Sequence, residues 1–406
     1  MSTPGGRPDV DLIILGGGCA GLSLAQHLSD SGSSLRVAIV EPRLGYHEDR
    51  TWCGWRLTPH AFADCAVATW HEWKIATPAG EIVRGSEQYP YEMVRSDLFY
   101  EKASRAIDRH PSMDLLRGLS ADQLYEAAGH VEVALSDGSR LSAPWVIDTR
   151  PAPPTVVRPW LWQNFVGFVI NVEASIADRI GQLPMLMDFQ PPGTCVAQFM
   201  YLLPMGDCGF LCEWTQFAAN AGQYEEIEHK LRDWLDGHAG SGWTIERTEQ
   251  GSLPMALAPL SPTGRIVRAG AQGGSMRAST GYAFHAIQRW AAACAASLLE
   301  TGTPLPPQRS RLLEKMDAIF LEVLQDPSVS AMEIFRRLFA NSPPESLVRF
   351  LAGTPRHSDL WPVMRGLPWA KFLRAAPILL RSRSRALRPL PVHSAKDAPS
   401  PLRSGT

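Results

Sequence analysis

Apolar and polar positions along the first 150 residues alternate in blocks that predict an α/β fold. Val10–Leu15 is apolar apart from Asp11 and reads as a strand, and three glycines follow it. The spacing from Gly21 to about Ser31 predicts a helix, and Leu35–Val40, ending at Glu41, a second strand. Ser96–His110 has helical periodicity. The Ser136-Asp137-Gly138-Ser139 turn between Val131–Leu135 and Leu141–Ile147 predicts a β-hairpin. Trp145–Ile147 reads as a buried strand ending in the polar Asp148-Thr149-Arg150.

After Pro151-Ala152-Pro153-Pro154 the pattern becomes β-rich, with strands expected at Asn164–Val172, Thr194–Leu203 and Phe210–Thr215, and one helix at about Tyr224–Asp236. Gly281–Glu300 is a strong alanine-rich helix. From Pro307 the chain is mostly helical and broken by prolines, and residues 390–406 form a Pro/Ser-rich tail expected to be disordered.

Composition narrows the class. At 406 residues, 45% hydrophobic and 20% charged, the chain can bury a sizeable core, which excludes disordered, collagen-like and disulfide-scaffold proteins. The 7 cysteines are scattered, with no C-x-x-C pair and no zinc spacing, so a reduced cytosolic chain without a structural metal is expected. No run of 18 apolar residues predicts a membrane-spanning helix, and the polar first residues lack a signal-peptide core. Basic residues are not interleaved with aromatics, so nucleic-acid binding has no support.

The net charge of −2 conceals a division. From Leu360 onward there are nine basic residues and one acidic residue, a local charge of +8, while the preceding 359 residues carry −10. The apolar Leu367–Leu380 segment, followed by Arg381, Arg383, Arg385 and Arg388, has the composition of an interfacial anchor on anionic lipid or of a capping helix with a basic end.

The motif with most chemical content is Gly16-Gly17-Gly18-Cys19-Ala20-Gly21, a G-x-G-x-x-G after a strand and opening a helix. Gly16 permits a tight turn, Gly18 lets backbone approach a pyrophosphate, and Gly21 lets helix and strand pack closely. Glu41, 20 residues after Gly21, stands where an acid binds ribose hydroxyls. These features predict dinucleotide binding without separating FAD from NAD.

Further candidates are individual residues. Glu213, in Phe210-Leu211-Cys212-Glu213-Trp214-Thr215, is either a buried acid kept protonated by desolvation or a carboxylate on a solvent-facing strand edge. Trp52 and Trp55, among 13 tryptophans, follow the dinucleotide unit closely enough to face its crevice. Ser275–Tyr282 is a small-residue loop entering a helix, either an anion or carbonyl site or an ordinary N-cap at Ser279 or Thr280. Arg95 is either a cofactor-side arginine or part of a plain helix start.

In order along the chain, these pieces resemble the bacterial lycopene β-cyclase family. The likeness runs from Asp11 to Arg374. It includes Asp11–Gly21, Arg50-Thr51-Trp52, Val146–Arg150, Gln163–Gly167, Met187-Asp188-Phe189, Leu202-Leu203-Pro204, Glu213-Trp214-Thr215, Gly251–Met255 and Arg277–Phe284. The resemblance implies a Rossmann-like three-layer FAD-binding fold of the glutathione-reductase/hydroxylase type. Residues 9–150 and 260–302 would form that discontinuous domain, 151–259 a β-rich substrate domain, 303–389 a helical part and 390–406 the tail.

It further implies a non-redox cyclisation of the linear ψ-ends of lycopene, or a related linear carotenoid, to β-rings. Reduced FAD would be required, with NAD(P)H as reductant. The enzyme would be cytoplasmic and peripheral to the membrane, held there by its basic C-terminal region. Gly16, Gly18, Gly21, Glu41 and Arg95 would bind the cofactor, with Thr280 and Gly281 near its isoalloxazine ring.

Glu213 matches the first acid of the family's Phe-Leu-Glu-Glu-Thr-like motif and is the implied general acid, with Asp148 as a second, positioning residue. Trp214 replaces the motif's second acid, so either Trp214 contributes π density or the substrate departs from lycopene. Flavin hydroxylases carry Gly-Asp where this chain has Arg268-Ala269-Gly270, which counts against a monooxygenase on an isoprenoid. A non-catalytic carotenoid carrier is the remaining alternative.

Overall fold

In the computed structural model the described residues are 8–127, 129–151, 160–257 and 264–381. The opening β-α-β unit forms as its pattern predicts: β1 (Leu12–Leu15), α1 (Cys19–Asp30) and β2 (Val37–Glu41). All four residues of β1 are fully buried, as expected for a strand covered on both faces. Next come β3 (Thr51–Trp55), β4 (Ala66–Trp70), β5 (Glu72–Thr77), β6 (Gly80–Gly85), β7 (Tyr91–Arg95) and α2 (Ser96–Asp108). Then β8 (Met113–Arg117), β9 (Ala121–Ala127), β10 (His130–Leu135), β11 (Arg140–Ala143) and β12 (Trp145–Asp148) complete the first half. The Asp137-Gly138 turn joins β10 to β11 as an antiparallel hairpin.

The second half contains β13 (Leu161–Val172), α3 (Ala174–Ile180), β14 (Met185–Gln190), β15 (Ala197–Pro204), β16 (Gly209–Ala218), α4 (Tyr224–Ala239), β17 (Trp243–Met255) and β18 (Ile266–Arg268). Helices finish it: α5 (Phe284–Thr301), α6 (Arg311–Leu324), α7 (Ala331–Asn341), α8 (Pro344–Leu351), α9 (His357–Met364) and α10 (Trp369–Arg381).

A five-stranded parallel sheet in the order β18-β12-β1-β2-β8 carries the glycine loop at the C-terminal ends of its strands, where open α/β sheets bind ligands. A seven-stranded sheet, β17-β13-β16-β15-β14-β5-β6, is the second layer. One face packs under α4 through Val166, Phe168, Cys212 and Trp214 with Ile227 and Leu231. Its other face meets the β3-β7-β4 sheet and the C-terminal helices, where Phe335 of α7 packs against Phe189 and Phe217.

The hairpin β5–β6 belongs to this larger sheet, although it lies within the span assigned from sequence to the dinucleotide domain. Strand β17, 13 residues long, carries no apolar run in the sequence. It forms because β13 offers a full antiparallel partner, and Pro254 is tolerated because β17 is the sheet's edge.

No described helix is long and apolar enough to cross a membrane. All seven cysteines are free thiols. The expected tail at 390–406 and the arginines 383, 385 and 388 lie outside the described residues.

Candidate active site on the seven-stranded sheet

Cross-strand register, not sequence proximity, builds the acid site. Glu213 of β16 pairs with Gly167 of β13 on one side and Tyr201 of β15 on the other, and Gly167 pairs in turn with Glu249 of β17. Directly paired residues share a face, so Glu249, Gly167, Glu213 and Tyr201 form one row. Gly167 leaves the two acids open to each other. A Cβ there would lie 3.3 Å from Cγ of Glu213 and 3.2 Å from Cγ of Glu249.

The two acids differ in their partners. Among the described residues the Glu213 side chain has no cationic partner; its Oε1 accepts a hydrogen bond from the Thr215 hydroxyl at 3.1 Å. Burial of the carboxyl, reinforced by the nearby Glu249 charge, pushes Glu213 from the ordinary 4.5 up to about 8. Burial also raises Glu249, but Arg247 opposes this through a 2.8 Å ion pair. Arg247 is braced by Glu48 at 3.2 Å and the Thr51 hydroxyl at 2.7 Å. The arrangement therefore favours a neutral acid at Glu213 facing an ionised one at Glu249.

An aromatic wall adjoins this row. Tyr201, Tyr91 and Tyr282 are linked through their hydroxyls at 2.9 and 3.4 Å. Trp55 packs edge-on against Tyr91 and Tyr282, with ring centroids 4.9 and 5.6 Å apart. Trp52, three positions earlier on β3, points the other way and stacks on Phe284 in the core of the parallel sheet's layer. Of the two tryptophans expected at the crevice, only Trp55 belongs to the wall. Trp214 is likewise corrected: adjacent strand residues face opposite sides, and Trp214 is buried under α4. It contributes no π density to the acid's face.

The glycine loop forms the tight turn into α1 that its spacing predicts. Gly16 has φ +100°, and a Cβ on Gly21 would lie 2.0 Å from the Gly16 carbonyl oxygen. A Cβ on Gly18 would meet nothing within 4 Å, and no side chain caps α1, so its first turn presents backbone N–H groups to an anion. Glu41 accepts from the Gly17 amide at 2.7 Å and from the Arg43 side chain at 2.8 Å. Although burial opposes its charge, Arg43 and the Gly17 amide hold its carboxyl below the ordinary range. Glu41 thus fixes the glycine loop's shape. These residues fit a dinucleotide: open backbone donors at a helix N-terminus, with an anionic acceptor at the end of β2.

Asp148 ends β12 beside this loop. Burial works against its charge, yet Arg150 at 2.9 Å and Arg268 at 2.7 Å hold it ionised below its ordinary range. It ties β12 to β18 and has no proton to give near neutral pH. Arg95 is engaged by Asp97 and by Glu48 at 3.4 Å, at the start of α2.

Gly281 packs against the acid's face of the large sheet, and Thr280 lines the apolar cavity beside it. Gly281 has φ +71°, and a Cβ there would lie 3.0 Å from Gln163 Oε1 and 3.4 Å from Leu253. The expected N-cap is not formed. The Ser279 hydroxyl donates to buried Asp317 at 2.8 Å, Arg277 pairs with the same carboxylate at 2.8 Å, and α5 begins only at Phe284.

Sequence reading missed three things. Glu249 sits on an unrecognised strand, and its only signal is its place two residues before Gly251. A buried cluster brings His60 and His285 to Glu92, at 2.6 and 3.6 Å, from three separate segments, with Arg56 at 3.1 Å as counter-charge. Burial pushes His285 down to about 4 despite Glu92. Finally, the C-terminal helices line an apolar cavity of about 160 Å³, bounded by Phe320, Phe335, Phe350, Trp369 and Leu373 and ending at Thr280.

Comparison with known proteins places the chain in a family and a fold. A sequence profile described as lycopene cyclase protein matches residues 11–376. The chain is 24% identical to a lycopene beta-cyclase of Pantoea ananas, over 92% of this chain and 99% of that protein. It is 24% identical to a chloroplastic lycopene beta cyclase of Arabidopsis thaliana over 67% of this chain, spanning only 57% of that relative. Among solved structures it is similar to the halogenase PltM, with TM-score 0.59 and 15% identity over 93% of each chain. It also matches the flavin-dependent monooxygenase PieE, solved with FAD and substrate, with TM-score 0.55 and 17% identity over 93% of this chain and 72% of that one. The shared fold is that of FAD-dependent enzymes.

Proposed function

Because the chain belongs to the lycopene cyclase family, we propose that it cyclises the linear ψ-ends of lycopene, or of a related linear carotenoid, to β-rings. The observation that carries this reading is Glu213: a carboxylic acid without a cationic partner among the described residues, raised to about 8, beside a wall of tyrosines and a tryptophan. Protonating an alkene needs an acid that stays neutral at working pH and is held away from water. Glu213 donates its proton to the terminal double bond. The resulting tertiary cation is attacked by the next suitably placed double bond, and loss of a proton leaves a ring isomeric with the starting end. The Glu249 carboxylate and the faces of the tyrosines offer negative and π density to the cation.

The glycine loop, the open N-terminus of α1 and Glu41 would hold FAD, with Thr280 and Gly281 toward the ring. When bound in reduced form, with NAD(P)H as reductant, FAD supplies an electron-rich, anionic ring system that stabilises positive charge. Asp148 and Arg268 keep the strand ends beneath the cradle in place.

The substrate is insoluble in water, so the protein must draw it from a bilayer. Exposed Trp361 and Leu373, beside the apolar cavity that Trp369 and Leu373 line, form the proposed docking surface, and the cavity is a path from lipid toward Thr280.

Expression in cells that accumulate lycopene tests the reading. The expected product carries β-rings and has the mass of lycopene. Unchanged lycopene would leave a carrier function, and a product heavier by oxygen would indicate a monooxygenase.

A further inference from the structure

The row Glu249–Gly167–Glu213 contains one acid more than proton donation requires. We infer that Glu249 is the base that takes the ring proton from the cyclised cation and so decides which ring isomer forms. The inference rests on the cyclase reading of Glu213 and adds a second role to the same face.

Three observations carry it. Glu249 shares a face with Glu213, and both flank Gly167, whose missing side chain leaves nothing between them. Its ion pair with Arg247, which in turn contacts Glu48 and the Thr51 hydroxyl, holds the Glu249 carboxylate in place. Finally, Trp214, at the place of the family motif's second acid, is turned away beneath α4, so it cannot serve this face. An ion-paired carboxylate is a weak base, but a tertiary carbocation is so strong an acid that position, not basicity, limits its deprotonation.

The proton balance closes without an oxidant. The O–H bond of Glu213 breaks as a C–H bond forms at the terminal alkene. A π-pair closes the ring C–C bond. A C–H bond beside the ring cation then breaks, its electrons become the ring double bond, and its proton passes to a Glu249 oxygen. Transfer of that proton back across Gly167 restores Glu213 for the next turn. Where the receiving oxygen stands selects among the neighbouring C–H bonds, and this selection fixes the position of the ring double bond.

The test compares Glu249→Gln, Glu249→Asp and Glu213→Gln as FAD-loaded, reduced enzymes acting on lycopene in vesicles made up in D2O. In Glu249→Gln, β-ring formation should fall by about 10²-fold. Recovered lycopene should carry deuterium at the vinylic CH carbon of its terminal double bonds, because protonation continues and the cation reverts, and residual product should contain rings with displaced double bonds. Glu249→Asp should regain part of the rate, again with displaced double bonds, which separates base placement from a folding defect. In Glu213→Gln both cyclisation and deuterium uptake should cease.

Wild-type amounts of β-ring from Glu249→Gln would overturn the inference while leaving Glu213 as the acid. Loss of deuterium uptake in a Glu249→Gln protein that still binds FAD would also overturn it, since Glu249 would then act only through Glu213. Continued turnover in Glu213→Gln would instead remove the cyclase reading on which it rests.

Discussion

An acid proposed to protonate a hydrocarbon must arrive uncharged, and at Glu213 burial without a cationic partner among the described residues, together with a second acid across Gly167, favours this. Glu213→Gln should retain FAD binding, followed by flavin absorbance, and lose cyclisation by at least about 10²-fold. Wild-type activity should fall about tenfold per pH unit above about 8, as the acid ionises. Stability follows the same group with a definite sign. Between 4.5 and about 8 the folded state holds a proton that the unfolded state releases, so this contribution is full below 4.5 and is lost as pH rises through about 8. Glu213→Gln should therefore show a flatter Tm against pH in that window than wild type. Equal slopes would mean that Glu213 is not buried as described. Glu213 was visible in the sequence because an acid among Phe210, Leu211, Cys212 and Trp214 is unusual; Glu249 was not, because its neighbours Thr248, Gln250 and Gly251 look like any polar segment.

At the scale of elements, strand parity sorts side chains that the sequence leaves equivalent. Trp214 and Glu213 are adjacent yet face different cores, and Trp52 and Trp55 part in the same way. The loop from Arg277 to Tyr282 shows how a helix outside the sheets can position a site. Asp317 of α6 accepts from both Arg277 and Ser279 and is itself buried, so it holds the turn that brings Gly281 against Gln163. Asp317→Asn leaves Arg277 without its counter-charge and should cost about 3–5 kcal/mol, read as a lowered denaturation midpoint. Activity should drop with it if the loop orients the cofactor's ring. An unchanged midpoint would mean that α6 does not anchor the loop. The β-α-β unit, α2, the β10–β11 hairpin and α4 were legible because their periodicity is local. Strand β17 was not, because an edge strand containing Gly251 and Pro254 is stabilised by β13 and not by its own propensity.

Across the whole molecule, the acidic body and basic C-terminal end are consistent with the proposed docking on an anionic surface. Among the described residues, Trp361 is 66% and Leu373 65% exposed, beside the mouth of the apolar cavity. Covering such apolar side chains favours docking in proportion to the apolar area removed from water, about 25 cal/mol per Å². Replacing both by glutamate should thus weaken sedimentation with phosphatidylglycerol vesicles by at least about tenfold while sparing FAD binding. Undiminished vesicle binding would remove this docking surface. The sequence by itself determined the parallel dinucleotide layer, the glycine cradle with Glu41, the family and one acid, because each depends on residues close together in the chain and on patterns that only a few backbone geometries satisfy. The tertiary structure alone decided that Glu249 faces Glu213, that Trp214 does not, that Asp148 is a clamped anion, and that Gly281 packs against Gln163 while Thr280 lines the apolar cavity. Those relations are set by strand register and helix packing across distant segments, which no local pattern encodes.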